Sequence, residues 1–530
     1  MKQFLALLAG LTAVSAQADV RLPLVFGDHM VLQRDQKVPV WGWADEGEKV
    51  TVEFAGQKVE TTAQGGKWSV SLAALKASSA GAKLVVSGKN RVEFQDVVVG
   101  EVWLCSGQSN MEWAVSQSKD AQKEIAAANN PRIRHFKVPH VTAAEAQTEV
   151  KTSGGWQATT PQSVGGFTAV GYYFAREIQK DLDVPIGLLG CNWGGTKIEP
   201  WTPPVGFKQV PALKEIADNL ANLPARTPRM VPEMAPAVDA KGAPVLDKAG
   251  KPVLKPVMGK DGRPKLRPEL DKDGKPVVQI NNQSAMAIYN AMLHPLIPYA
   301  IRGALWYQGE SNNGEGMLYF EKKKALIGGW RTLWQQGDFP FYFVQLAPYR
   351  YGRPEALPGI WEAQTASLSI PNTGMAVTTD ISTVGNIHPP DKQEVGRRLA
   401  LWAMAKTYGK ENLAFASPLF DAAKFDGGKA VVSFKHAEGG LKARDGQPLN
   451  WFALAGEDKK FVSAKAEVVG NTVVVTAEGV AKPVAVRFGW HELAEPNLAS
   501  ATGLPVSPFR SDHWTDATMP VFTPAAAPKK

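Results

Sequence analysis

The run Val97-Val98-Val99-Gly100-Glu101-Val102-Trp103-Leu104-Cys105 passes directly into Ser-Gly-Gln-Ser-Asn-Met-Glu, residues 106 to 112. An apolar run of this length and β-branched content reads as a strand buried on both faces, which implies a parallel sheet covered by helices. Such sheets bind ligands beyond the carboxyl ends of their strands, so the turn into the next helix sets Ser109 over a crevice. Two readings fit the heptapeptide alone. Ser109 is a displayed nucleophile, or Ser109 or Asn110 simply caps the helix.

The chain downstream repeats the same join. Phe167 to Leu182 is helix-like, with Val170, Tyr173, Phe174 and Ile178 at helical spacing, and a second buried strand, Val184 to Cys191, opens into Asn192-Trp193-Gly194-Gly195-Thr196. A third strand at Ala304 to Tyr307 opens into Gln308-Gly309-Glu310-Ser311-Asn312, followed by a helix presenting Leu326, Trp330, Leu333 and Trp334. A fourth, Phe341 to Leu346, has no polar loop of this kind. The fifth, Met375 to Asp380, leads to Asn386-Ile387-His388-Pro389-Pro390 and a helix from Lys392 to Tyr408. Strands alternating with helices define an α/β class, assigned to residues 99–205 and 281–412.

A chain of 530 residues leaves room for flanking domains. Residues 19–98 read as short alternating strands of a β-sandwich, including Val38 to Trp43, Lys49 to Phe54 and Lys67 to Leu72. Its role is structural, or carbohydrate-binding through Trp41 and Trp43. Residues 413–530 return to β texture. Residues 206–280 form an insert where Gly-Xaa-Pro recurs at Gly242, Gly250, Gly262 and Gly274, which suits either a β-ribbon with tight turns or low-complexity chain. Residues 1–18, with Lys2, an apolar core and Ala16-Gln17-Ala18, match a secretory signal, so the product is expected to be exported, periplasmic or secreted. No later apolar stretch suits a membrane helix.

The formal charge is +8, and residues 239 to 275 carry ten Lys plus Arg against six Asp plus Glu. That run is mixed in sign and lacks interleaved aromatics, so it reads as a solvated face and not as a nucleic-acid site. Cys105 and Cys191 end neighbouring strand-like runs; a disulfide and two buried thiols both fit. Neither they nor the eight histidines show metal-ligand spacing, so no metal or cofactor is expected. Oligomeric state is left open by the sequence.

Acyl transfer needs a nucleophile, a base within reach and donors aimed at the developing oxyanion. Ser109 supplies the hydroxyl. His388 is the one histidine placed in a loop after a buried strand. Gly194 or Gly195 and the Ser109 amide can offer backbone N–H groups, and Gln308 or Asn312 a side-chain amide. Gln108, Glu199 and Glu310 stand in or beside the same loops as candidate substrate contacts. A competing reading pairs Glu199 with Glu310 as the carboxylates of a glycoside hydrolase; another, from sixteen tryptophans, is a carbohydrate-binding protein without catalysis.

Gly107-Gln108-Ser109-Asn110-Met111, Gly194-Gly195-Thr196, Trp306-Tyr307-Gln308-Gly309-Glu310-Ser311-Asn312 and Ile387-His388-Pro389 resemble the sialate O-acetylesterase group of the Ser-Gly-Asn-His (SGNH) hydrolases. The resemblance runs from Leu22-Pro23-Leu24 to Gly503 through Asp512, with the Pro/Gly-rich insert as its departure. It implies a flavodoxin-like three-layer SGNH hydrolase domain flanked by β-sandwich domains, and hydrolysis of O-acetyl esters on sugars: plant cell-wall polysaccharide such as xyloglucan or xylan, or sialic acid. Related hydrolases carry an aspartate three residues before the histidine, where this chain has Gly385. Asp380 is the named candidate for the third catalytic residue; Glu310, or an imidazole oriented by a backbone carbonyl alone, are the alternatives.

Overall fold

The computed structural model describes residues 19–151, 154–222, 228–239, 241–259, 262–277 and 279–520. The signal-like segment 1–18, the tail 524–530 and the turn residues Lys260 and Asp261 lie outside the described residues.

The central sheet is built from β1 (Arg91–Gly107), β2 (Asn130–Lys137), β3 (Trp156–Thr159), β4 (Ile186–Asn192), β5 (Gly303–Tyr307), β6 (Phe341–Val344) and β7 (Thr373–Ala376). Its order is β7-β6-β5-β1-β4-β2-β3, and every neighbouring pair is parallel except β2 with β3. Setting aside the edge pair β2 and β3, the strands stand in the sequence order 2-1-3-4-5. The order reverses at β1, between β4 and β5, and such a reversal opens a crevice at the carboxyl edge.

Helices cover both faces, and the strand period shows which. Cys105 points toward α2 (Ala169–Leu182), where a Cβ added to Gly171 would lie 2.7 Å from its Sγ. Trp103, two residues away and on the same face, packs edge-on against Phe174 of α2 at 4.9 Å. Trp306, the register partner of Ser106, faces the other way and meets Trp330 of α3 (Leu318–Trp334) at 5.7 Å. The same period settles the cysteines. Cys105 lies opposite Gly190 and Cys191 opposite Ser106. That offset of one residue sends the two side chains to opposite faces, so they are free and buried, and no disulfide joins them.

The flanks differ from expectation in one respect. The boundary drawn at residue 98 falls inside β1, a continuous strand of 17 residues. Its first half pairs with the N-terminal strands Ser78–Ser87 and Val31–Gln33, and its second half with β4 and β5, so one strand serves both layers. The C-terminal β region holds two four-stranded sheets around a core that includes Val432, Val473, Phe452 and Phe488.

The insert is ordered by its turns. Gly242, Gly250, Gly262 and Gly274 all have φ between +75° and +83°, the left-handed region that glycine enters without a Cβ clash. Asp239, Asp247 and Asp271 each accept two backbone N–H bonds across their turns. Strand Met234–Pro236 pairs with Leu254–Pro256, and Met230–Pro232 with Leu266–Pro268. Backbone bonds also close in rings of three, as from Ala237 to Val253, Val253 to Val245 and Val245 to Ala237. Among the described residues, no helix is long and apolar enough to cross a membrane.

Candidate active site

The nucleophile turn is forced by a close approach of two backbones. Gly107 has φ +138°, and a Cβ there would lie 2.2 Å from the Tyr307 carbonyl oxygen. Glycine therefore lets β1 end against β5, and the chain enters α1 (Ser109–Glu112) at once. Across the crevice, the Ser109 hydroxyl and His388 Nε2 lie 2.8 Å apart. The two groups are 279 residues apart in sequence and within proton-transfer contact in space.

The imidazole is held by a ring and a turn. Trp113 stacks on it with centroids 4.8 Å apart and planes at 22°. The Asn386 side-chain oxygen accepts the His388 backbone N–H at 3.0 Å. Asp380, the expected third member, is elsewhere: its two oxygens take the Arg398 guanidinium at 2.7 Å each. Arg398 stands on α4 (Lys392–Trp402) and also bonds Glu394, so the bidentate geometry commits the Asp380 carboxylate away from His388. Asp391 caps α4 through the Glu394 N–H and pairs with Lys119.

Beneath the pair lies a network that sequence reading missed. Asn110 donates from Nδ2 to Glu310 Oε1 at 2.6 Å and to the Ile387 carbonyl at 3.0 Å, while its Oδ1 accepts from Lys392 Nζ at 2.5 Å. One amide thus ties the nucleophile turn, the loop after β5, the residue preceding His388 and the first turn of α4. Burial pushes Lys392 down to about 7, against the pull of Glu310, and pushes the Glu310 carboxyl up. Glu310 Oε2 is shut from solvent without a partner, so Glu310 acts inward and is not a substrate contact.

The expected oxyanion donors separate. Gln308 is fully buried, with its amide donating to Thr196 O and Asn312 Oδ1 and accepting from Tyr319. Asn312 donates to Glu199 and Glu315. Both amides are consumed by the scaffold and cannot turn to a substrate without breaking buried bonds. Glu199 is locked to Lys322 at 2.6 Å, which also holds Glu315, so Glu199 and Glu310 belong to separate internal networks and do not face each other as a glycosidase pair. The Gly194 N–H donates to Glu112 Oε2 at 2.7 Å. The N–H groups of Ser109 and Gly195 make no hydrogen bond within the described protein. Gln108 accepts from Gly309 and Ser311 with Oε1 and leaves its amide nitrogen uncommitted.

Glu112, three residues after the serine, also binds His140 Nε2 at 2.8 Å, and His140 stacks on Trp193 at 4.3 Å. Burial works to raise this carboxyl, but His140 and the Gly194 N–H prevail and hold it below the ordinary carboxylate range. A carboxylate and two indoles, Trp113 and Trp193, therefore flank the serine. Among the described residues, no group of three or more His, Cys, Asp or Glu is placed to hold a metal.

His388 is itself shifted. Burial, then the nearby Lys392 charge, lower it from 6.5. A general base works when neutral, so the acid limb of the kcat/KM profile is expected below pH 6.5, with activity lost as pH falls through it. Lys392→Met removes one of the two causes and moves that limb upward, toward 6.5. Rates on a small acetyl ester from pH 4.5 to 8 measure both.

A family model described as carbohydrate esterase, sialic acid-specific acetylesterase, matches residues 99–221 and 278–405, the two stretches that build the parallel sheet and its loops and omit most of the insert. Fold and matched site define the class: a hydrolase of acetyl esters on carbohydrates. Sialate O-acetylesterase of Rattus norvegicus is 32% identical over 464 residues, covering 78% of this chain and 79% of the relative, and that of Homo sapiens is 30% identical over 446 residues, covering 76% and 74%. A solved structure of a carbohydrate acetylesterase from Xanthomonas citri is 36% identical with a TM-score of 0.77, covering 94% of this chain and all of the other. The chain belongs to the sialate O-acetylesterase family, and it is an esterase.

Proposed function

We propose that Ser109 is the nucleophile and His388 its general base in an exported esterase that removes acetyl groups from neutral plant cell-wall polysaccharide, on a flavodoxin-like SGNH hydrolase domain. The 2.8 Å contact between the two groups carries the catalytic part of this reading. The strand order 2-1-3-4-5 and the position of the site at its reversal support the domain type. Ser109 Oγ bonds to the acetyl carbon as its proton passes to His388 Nε2. The Ser109 and Gly195 N–H groups receive the oxyanion, and the imidazolium then gives its proton to the departing sugar oxygen. Water repeats the sequence on the acetyl-enzyme, releasing acetate and restoring Ser109.

With Asp380 engaged by Arg398, the pair works as a dyad. Trp113 and Asn386 fix the imidazole in place of a carboxylate.

What flanks the serine supports this substrate class. A sialate presents its own carboxylate and calls for a cationic clamp, whereas Glu112 sets an anion beside Ser109, where both border Gly194. A neutral acetylated xyloglucan or xylan meets the two indoles without that repulsion. The signal-like first 18 residues support export. Acetate release from purified protein, measured across acetylated xyloglucan, xylan, pectin and O-acetyl sialic acids, tests the reading. The expected order puts xyloglucan or xylan at least tenfold above the sialates in kcat/KM; a preference for sialates would reverse the assignment.

A further inference from the structure

A second cavity, of about 540 Å³, opens between the N-terminal sandwich and the turn preceding β5. Its aromatic wall comes from strand Val38–Trp43, and the reason is the strand period. This strand buries Val38, Val40 and Gly42 and turns Pro39, Trp41 and Trp43 outward, opposite Ser69 and Lys67 of strand Lys67–Leu72. Alternation ordinarily fills such an outward face with polar residues, as the neighbouring strand does with Lys67, Ser69 and Ser71. Here it carries two half-buried indoles. Trp41 leans on Phe26, and the Arg21 guanidinium lies over Trp43 at 3.9 Å.

The other walls supply hydrogen-bonding groups that the protein does not use. Thr61, Thr62, Gln64, Ser69 and Thr148 line the cavity, and none of their side chains bonds elsewhere in the described protein. His294 spends Nδ1 on the Gln147 carbonyl and keeps Nε2. This contrasts with Gln308 and Asn312 at the catalytic crevice, whose amides are consumed internally. Ring faces set among hydroxyls, an amide and one cation, Lys67, match a sugar chain, whose pyranose rings offer apolar C–H faces and hydroxyl edges.

We propose that this cavity is a non-catalytic binding site for a neutral oligosaccharide segment of the polysaccharide substrate. It lies at the amino-terminal edge of the sheet, since His294 to Pro298 precede β5, whereas Ser109 follows the carboxyl end of β1, parallel to it. Five residues of β5 at about 3.3 Å each set the two sites roughly 15 Å or more apart. The cavity therefore holds a stretch of chain distinct from the residue being deacetylated, and it does not require the acetyl group.

The inference rests on the proposed polysaccharide substrate, and the test reads the two separately. Full-length protein carrying Ser109→Ala is run in native gels containing chemically deacetylated xyloglucan or xylan, with tryptophan emission followed against soluble oligosaccharides of each. Retardation and an emission change are expected. Trp43→Ala and the double variant Thr62→Val with Gln64→Ala each weaken binding about tenfold, the effect of one lost good contact. The double variant leaves the buried strand faces untouched, which guards against a folding artefact. The same substitutions in the Ser109 background leave hydrolysis of p-nitrophenyl acetate unchanged. Release of acetate from either polymer with no retardation sinks this site alone, as does retardation indifferent to both cavity variants.

Discussion

Ser109→Ala and His388→Ala are each expected to lower kcat for acetate release by about 10⁴- to 10⁶-fold, because nucleophile and base act as one unit and neither half works alone. The double variant should be no worse than the poorer single one. What remains comes from binding and from the oxyanion donors, which these substitutions leave in place. Neither change opens a core cavity: Ser109 lies at the crevice, and His388 packs by one ring face on Trp113. Folding stability is therefore expected to stay within about 1 kcal/mol of the parent, as for surface substitutions clear of buried networks. A fluorophosphonate probe should label the parent at Ser109 and fail on Ser109→Ala. If either variant keeps more than about a hundredth of the parent rate on acetylated sugar, the pair does not carry the chemistry and the nucleophile lies elsewhere.

Sequence pattern made the two reacting groups visible for a physical reason. Both stand where a buried strand ends in a polar loop, and a parallel sheet gathers those loops along one edge. The Cys105 and Cys191 question was decided by something the pattern leaves free, the register between β1 and β4, which places the thiols on opposite faces. Side-chain amides failed as a guide for a related reason. Gln308 and Asn312 sit in the right loop, but a neutral donor serves a buried scaffold as readily as an oxyanion, and here each is spent on its neighbours. Asp380 was misassigned because a carboxylate at a strand end can turn two ways, and Arg398 eighteen residues later offers it a bidentate partner. Lys392 left no signal at all, since a lysine at the start of a helix ordinarily reads as solvated. Glu112 and Trp113 lay in plain view beside the serine motif. Their roles, holding the Gly194 N–H and the imidazole, depend on loops brought in from residues 194 and 388.

The network around Asn110 makes the second large prediction. Asn110→Ala is expected to lower kcat about 100-fold with KM little changed, the scale of a displacement near 1 Å between reacting groups. The effect passes through Ile387. Its carbonyl is fixed by Asn110 Nδ2, and the next residue is His388, so loss of that bond frees the peptide that aims the imidazole. The same substitution strips Lys392 of the bond from Asn110 Oδ1 and Glu310 of its donor, leaving two buried ionisable groups with weaker partners. A stability loss of about 1–3 kcal/mol should accompany the rate effect, the usual penalty for abandoning a buried polar group. Stability loss alone does not distinguish a positioning role from a structural one, and the pH profile does. Asn110→Asp retains the size and puts a carboxylate against Lys392, which is already largely charged on the acid limb, so the added anion offsets the Lys392 charge, favours protonated His388 and moves the limb upward. Asn110→Ala removes the tether without adding charge, so its main signature is a fall in kcat at every pH. An Asn110→Ala enzyme with parent kcat throughout the profile would show that the imidazole is aimed by Trp113 and Asn386 alone.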